Sequence, residues 1–231
     1  MKKSLIILLF VAIILMPLNA FATSYTNYSY SRDYTIDSYD INLIVNEDNT
    51  FNITEKIDAY FNVGKHGIFR KIPLRNEVIR LDGSKSNNRA KITDIQISGD
   101  KFTTYNESGN KVVKIGDPNR TLTGAKSYTI CYSYNIGKDT GKNYDELYFN
   151  LIGNEWDTTI SNISFTITMP KSFDKSKLGF SAGTKSSTES RNVRYTSRRK
   201  CNNRILYWNI KSRRGINCEI RITRGIFCRS K

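Results

Sequence analysis

From Ile36 onward, apolar side chains recur at every second position, and this period limits what the chain can become more than any other feature. Ile41, Leu43 and Val45 alternate with polar residues, Asn46-Glu47-Asp48-Asn49 form a turn cluster, and Phe51, Ile53, Ile57, Ala59 and Phe61 resume the alternation. Successive side chains of a strand point to opposite faces, so the pattern marks a half-buried hairpin. It breaks once, at Thr54–Glu55, which leaves room for a bulge. Similar runs follow at 92–98, 112–115, 127–136, 146–152 and 160–169. Turn clusters such as Ser98-Gly99-Asp100, Ser108-Gly109-Asn110 and Gly116-Asp117-Pro118-Asn119 separate them. No window holds apolar residues at i, i+3, i+4 and i+7 over helical length. The fold expected over residues 36–196 is all-β: an antiparallel β-sandwich, immunoglobulin-like or related, built as one unit or as two β-subdomains.

The two ends of the chain read differently. Lys2 and Lys3 precede an apolar run from Leu5 to Leu18, and Ala20-Phe21-Ala22 is a small-x-small site. Residues 1–22 are therefore expected to be a signal peptide cleaved between Ala22 and Thr23, since the run is shorter than the ~20 residues of a membrane span. Residues 23–35 form an irregular lead-in rich in Tyr and Ser, and Phe173–Ser190 reads as a polar loop. The net charge of +15 is concentrated at the far end, where residues 191–231 hold 13 bases and one acid against 23 and 20 in the rest. The body is close to neutral, so no nucleic-acid partner is expected of it.

Three of the four cysteines also fall after Ser197, with no linker before the change. A shifted reading frame produces such a break. With permitted codons, the second frame spells strand-like text with an Asn-Pro-Gly turn and alternating Leu and Val. Residues 197–231 are thus expected to be a frame-shifted, irregular and disordered basic tail. If the tail is instead genuine, it reads as a cationic arm for a polyanion. The cysteines lack C-x-x-C or zinc-like spacing, so neither a disulfide framework nor a metal site is expected.

Few residues suggest chemistry. His66 is the only histidine and lies in His66-Gly67-Ile68-Phe69-Arg70-Lys71-Ile72-Pro73. It could act as a base or ligand, but a lone histidine lacks partners, and a loop residue holding a turn is the plainer reading. Arg70, Lys71 and Arg75 could receive an acidic partner or a phosphate, or simply form a solvated loop face. Asp145, Glu146, Glu155 and Asp157 lie near Tyr144, Tyr148 and Trp156. Glycosidase carboxylates stand ~5–9 Å apart, whereas ten extended residues from Asp145 to Glu155 span ~30 Å. These acids lack calcium-loop spacing. They read as a charged strand edge, with Tyr148 and Trp156 packed inward. No catalytic constellation and no cofactor are expected.

Several phrases resemble a bacterial family described only as predicted membrane proteins, domain of unknown function 2207. They are Asp37–Asp48, the segment from Thr54, His66–Arg75, Ile115–Gly124 and Asp145–Asp157. The resemblance spans about Ile36 to Thr196, and the second-frame text fits it too. It implies an exported β-domain followed by transmembrane helices, an anchor that this chain would have lost. The expected function is an extracytoplasmic binding or structural module, secreted or envelope-associated as given. Its partner would be a cell-envelope polymer or another envelope protein. The alternatives are an envelope enzyme acting on glycan or peptide, and polyanion binding through the tail.

Overall fold

The long strands with clean alternation bury the face that it marks, and the strands sort into two layers. A computed structural model describes residues 33–79, 85–137, 146–153, 155–171, 178–183, 194–200, 203–211 and 217–223. The expected signal peptide, its cleavage point at Ala22–Thr23 and the lead-in to residue 32 lie outside the described residues. Among the described residues every regular element is a strand. In chain order these are β1 (Tyr34–Val45), β2 (Thr50–Lys65), β3 (Gly67–Pro73), β4 (Arg75–Ile79), β5 (Lys85–Arg89), β6 (Lys91–Ile97), β7 (Phe102–Glu107) and β8 (Asn110–Gly116). There follow β9 (Leu122–Asn135), β10 (Glu146–Asn150), β11 (Ile160–Met169), β12 (Leu178–Gly183), β13 (Arg194–Lys200), β14 (Asn203–Lys211) and β15 (Asn217–Thr223).

One layer is a seven-stranded sheet in the order β13-β14-β11-β1-β2-β9-β6. The sheets β3-β8-β7 and β10-β15-β12 are three-stranded, and β4 and β5 pair as a separate hairpin. The fold is the expected all-β sandwich with one departure from antiparallel order: β1 and β11 run parallel, Ile41 standing opposite Phe165. A parallel pair needs a long crossover, which the chain between these two strands provides.

A single hydrophobic cluster joins the sheets. It contains Tyr39, Ile41 and Leu43 of β1, Ile53 and Ile57 of β2, Ile68 and Ile72 of β3, Val113 and Ile115 of β8, and Phe149 of β10. The Phe149 ring meets Phe51 and Tyr134 edge-on at 5.6 and 5.2 Å, tying β10 to the larger sheet. Each such buried side chain contributes ~1.5–3 kcal/mol over leaving it in water.

The bulge lies elsewhere than the alternation suggests. β2 pairs with β1 without interruption through Thr54 and Glu55, and the register shifts instead between Ile36 and Ser38 of β1. Asp37 is the extra residue there. A bulge exchanges the two faces of a strand beyond it, so both Ile36 and Tyr39 point into the core. Three segments expected to be irregular form strands. β3 occupies the stretch read as a loop, and β12 lies within Phe173–Ser190, most of which is outside the described residues. In the basic tail, Leu206, Trp208 and Ile210 stand in register opposite Ile167, Phe165 and Ile163. That two-residue period, crowded by basic neighbours, suits a strand beside β11.

Candidate functional site

The densest polar chemistry is sealed between the layers. Glu55 of β2 and Arg70 of β3 are 0% and 2% exposed. Arg70 donates from Nε to Glu55 Oε2 and from Nη2 to Oε1, each at 2.8 Å. Its Nη1 donates to the carbonyls of Lys71 (2.7 Å) and Ile152 (3.1 Å). The hydroxyls of Tyr39 and Tyr132 complete the carboxylate, donating to Oε2 and Oε1 at 2.7 Å each. Burial pushes both hydroxyls well above the ordinary tyrosine range. Burial is the largest single influence and works against the Arg70 charge, but Glu55 together with Tyr39 and Tyr132 outweighs it and holds the guanidinium firmly protonated. Each carboxylate oxygen takes two donors, so no acceptor position is left for a substrate. Chemically the cluster is a bidentate clamp between sheets.

Local sequence places each member of this clamp. Glu55 falls in phase with Phe51, Ile53 and Ile57, and Arg70 in phase with Ile68 and Ile72, so both alternations carry them inward. The bulge at Asp37 turns Tyr39 toward Glu55. Trp156 meets Tyr39 edge-on at 5.8 Å, and its Nε1 is buried without a partner.

A second place is open. At the start of β7 a depression of about 550 Å³ is lined by Asp100, Phe102, Thr103, Lys114 and Pro118, among others. Lys126 Nζ bonds Asp100 Oδ1 at 2.9 Å, while Oδ2 is buried with no donor. The Tyr128 hydroxyl is likewise buried and unpartnered. Burial, and then the Asp100 charge, hold it in its protonated form. Lys101 is bound to Asp117 at 2.7 Å, and Lys114 lies over the Phe69 ring at 5.8 Å. The Lys101 bond and a backbone bond from Asn119 lower the Asp117 carboxyl below its usual range. Gly116 in the wall crosses Gly67 so closely that a Cβ on Gly116 would stand 1.9 Å from the His66 carbonyl oxygen, and one on Gly67 1.8 Å from that of Ile115.

The described residues singled out from the sequence do not form one cluster, although Lys71 and Glu155 meet. His66 is exposed at the β2–β3 corner, and its Nδ1 lies 3.1 Å from the Arg120 carbonyl, a turn-holding contact. Arg70 does not form part of a solvated loop face or reach outward for a phosphate; in-phase burial makes it half of the clamp. Arg75 is exposed at the start of β4. Glu155 is exposed, with Lys71 3.9 Å away. Asp157 accepts from Tyr34 at 2.8 Å, and burial, then Asp157, raise that hydroxyl's pKa strongly. Trp156 is half-buried against the core. Asp145 lies outside the described residues, as do the side chains of Glu146 and Tyr148. No group of three His, Cys, Asp or Glu among the described residues is arranged to hold a metal ion.

The family model described as the predicted membrane protein (DUF2207) N-terminal domain matches residues 35–206, reaching past Thr196. No curated protein matches the chain. Among solved structures it is similar to an M1 zinc metallopeptidase from Deinococcus radiodurans, with 10% identity and a TM-score of 0.44 over 84% of this chain and 43% of that one. It is also similar to the same organism's M1 zinc metallopeptidase bound to a Tyr-Ser-Ala substrate, with 12% identity and a TM-score of 0.43 over 83% of this chain and 43% of that one. The chain thus spans less than half the length of these structures.

Proposed function

The chain belongs to the predicted membrane protein (DUF2207) N-terminal-domain family, and from that premise we propose that it is the extracytoplasmic β-sandwich of a membrane protein, a binding or structural module rather than an enzyme. One observation carries the reading: the shielded acid–base set, Glu55 with Arg70, Tyr39 and Tyr132, is fully committed to internal hydrogen bonds. A general acid or base must reach the proton it transfers, and this set faces only itself. Among the described residues no helix is long and apolar enough to cross a membrane.

The test is topological. An epitope inserted at the exposed Glu47–Asp48 turn, in the full protein within its own membrane, should be removed by protease added to intact cells. Cleavage only after permeabilisation would overturn the extracytoplasmic placement.

A further inference from the structure

We infer that β7 is the pairing edge of a symmetric dimer, in which the β7 strands of two copies of this chain lie antiparallel about a two-fold axis through Thr104. The inference rests on reading this domain as a binding module and names a second copy as what it binds.

The edge is open and unguarded. β7 is the outer strand of the β3-β8-β7 sheet, and all six of its residues are exposed. The loop to β8 is Ser108-Gly109, both in the left-handed region with φ of 48° and 80°, and Glu107 faces Asn110 across it. The pair that closes a two-residue loop exchanges both its backbone bonds, and the pattern alternates from there. Glu107, Tyr105 and Thr103 therefore bond β8, whereas the backbone groups of Phe102, Thr104 and Asn106 point away from the sheet. Proteins blunt such an edge with Lys, Pro or a bulge. β6, at one rim of the seven-stranded sheet, has Lys91 and a register shift between Thr93 and Gln96, with Asp94 at φ 55°. β13, at the other rim, carries Arg194, Arg198, Arg199 and Lys200. β7 reads Phe-Thr-Thr-Tyr-Asn-Glu, its one charge at the very end, and it pairs with β8 without a shift.

The residues of the strand name the partner. The two-fold axis sets Thr104 opposite the partner's Thr104, Thr103 opposite the partner's Tyr105, Phe102 opposite the partner's Asn106 and Lys101 opposite the partner's Glu107. Threonine pairs, aromatic–β-branched pairs and opposite charges are the cross-strand contacts that stabilise antiparallel sheets, and the axis makes the last two twice. The Lys101 side chain is 76% exposed and that of Glu107 50%, so both can reach beyond their own contacts with Asp117 and Lys71. A register moved by two residues either way loses both charge pairs. The outward backbone groups of Phe102, Thr104 and Asn106 then meet those of the same three residues. A strand of six residues makes an interface below the ~1,200–2,000 Å² of stable complexes. The dimer is therefore weak in solution and gains when copies are held close together.

The test is sedimentation of the full chain from about 10 μM to 1 mM, where the dimer fraction should rise with concentration. Thr104→Lys and Thr104→Glu each set like charges against each other on the axis. Each alone should weaken association about fivefold or more at an unchanged melting temperature, and mixing the two in equal amounts should restore the dimer. Misfolding cannot imitate that rescue. Glu107→Lys, which reverses both end pairs, should weaken association about threefold or more and is an independent check. The inference falls if the chain stays monomeric throughout this range, if the dimer is indifferent to Thr104→Lys and Glu107→Lys, or if mixing restores nothing. The last result would assign the dimer to another register or surface. Association is read in solution and topology in cells, so either reading can fail without the other.

Discussion

Glu55 and Asp100 are both shielded carboxylates beside a cation and a tyrosine, yet their surroundings assign them opposite roles. Glu55 receives four donors from three strands and has none left to seek. Asp100 receives one lysine and leaves an oxygen unmet. A charge removed from water is tolerated when its hydrogen bonds are replaced. Completeness makes the first a structural device, whereas the second keeps a sealed oxygen for which its surroundings supply no donor. Burial alone would not separate them; counting donors does.

The comparison breaks most visibly at Arg70. Arg70→Met leaves Glu55 charged and buried with only two hydroxyls, and should lower stability by about 3–5 kcal/mol in urea unfolding. The double variant Glu55→Leu/Arg70→Met should recover most of that loss, because a hydrophobic pair avoids the desolvation penalty. A double variant as unstable as the single one would show that shape rather than charge pairing dominates there. Next, Tyr132→Phe removes one of the four donors and should lower stability by about 1–3 kcal/mol, read from the same unfolding midpoint.

Asp58 gives an intermediate case. It lies on the solvent side of β2, where Ser127 and Ser38 each donate to it at 2.6 Å. These two bonds lower its pKa below the usual 3.8. A carboxyl lowered on folding adds stability above its unfolded pKa and loses it as pH falls through the folded value. Asp58→Asn should therefore flatten the acid limb of stability below about pH 4, by a few tenths of a kcal/mol given solvent screening. An unchanged limb would mean the hydroxyl bonds exist in the unfolded chain as well. The smallest effect belongs to Asp100. Asp100→Asn should stay within about 0.5 kcal/mol of the parent, because the orphan oxygen stabilises nothing and the amide oxygen can still accept from the partly exposed Lys126. A loss of several kcal/mol would make Asp100 another Glu55.

The strands with clean alternation were legible from the sequence, and β2, β9 and β11 run close to where the pattern puts them. The clamp was hidden by its own chemistry. Glu55 reads as a break in the alternation and Arg70 as part of a basic loop, yet both stand in phase with the apolar residues around them. The two misreadings are the two halves of one ion pair. A signal was available: opposite charges at inward positions of two strand-like runs. β7 gave none, since all six of its residues are exposed and no buried face imposes a period. The depression at Asp100 depends on contacts between a turn and distant strands, and no local pattern encodes that.

The parallel pairing of β1 with β11 also sets a clock. Ile41 must wait for Phe165, so one edge of a central strand stays unmatched until more than half the chain has been synthesised. At ~5–20 residues per second, that wait is on the order of ten seconds. Pairings between such distant segments form slowly even in the finished chain. The β1–β2 hairpin is thus the early, local product of folding. The seven-stranded sheet closes late, and until then the nascent protein carries an open edge that a chaperone or a neighbouring copy can reach.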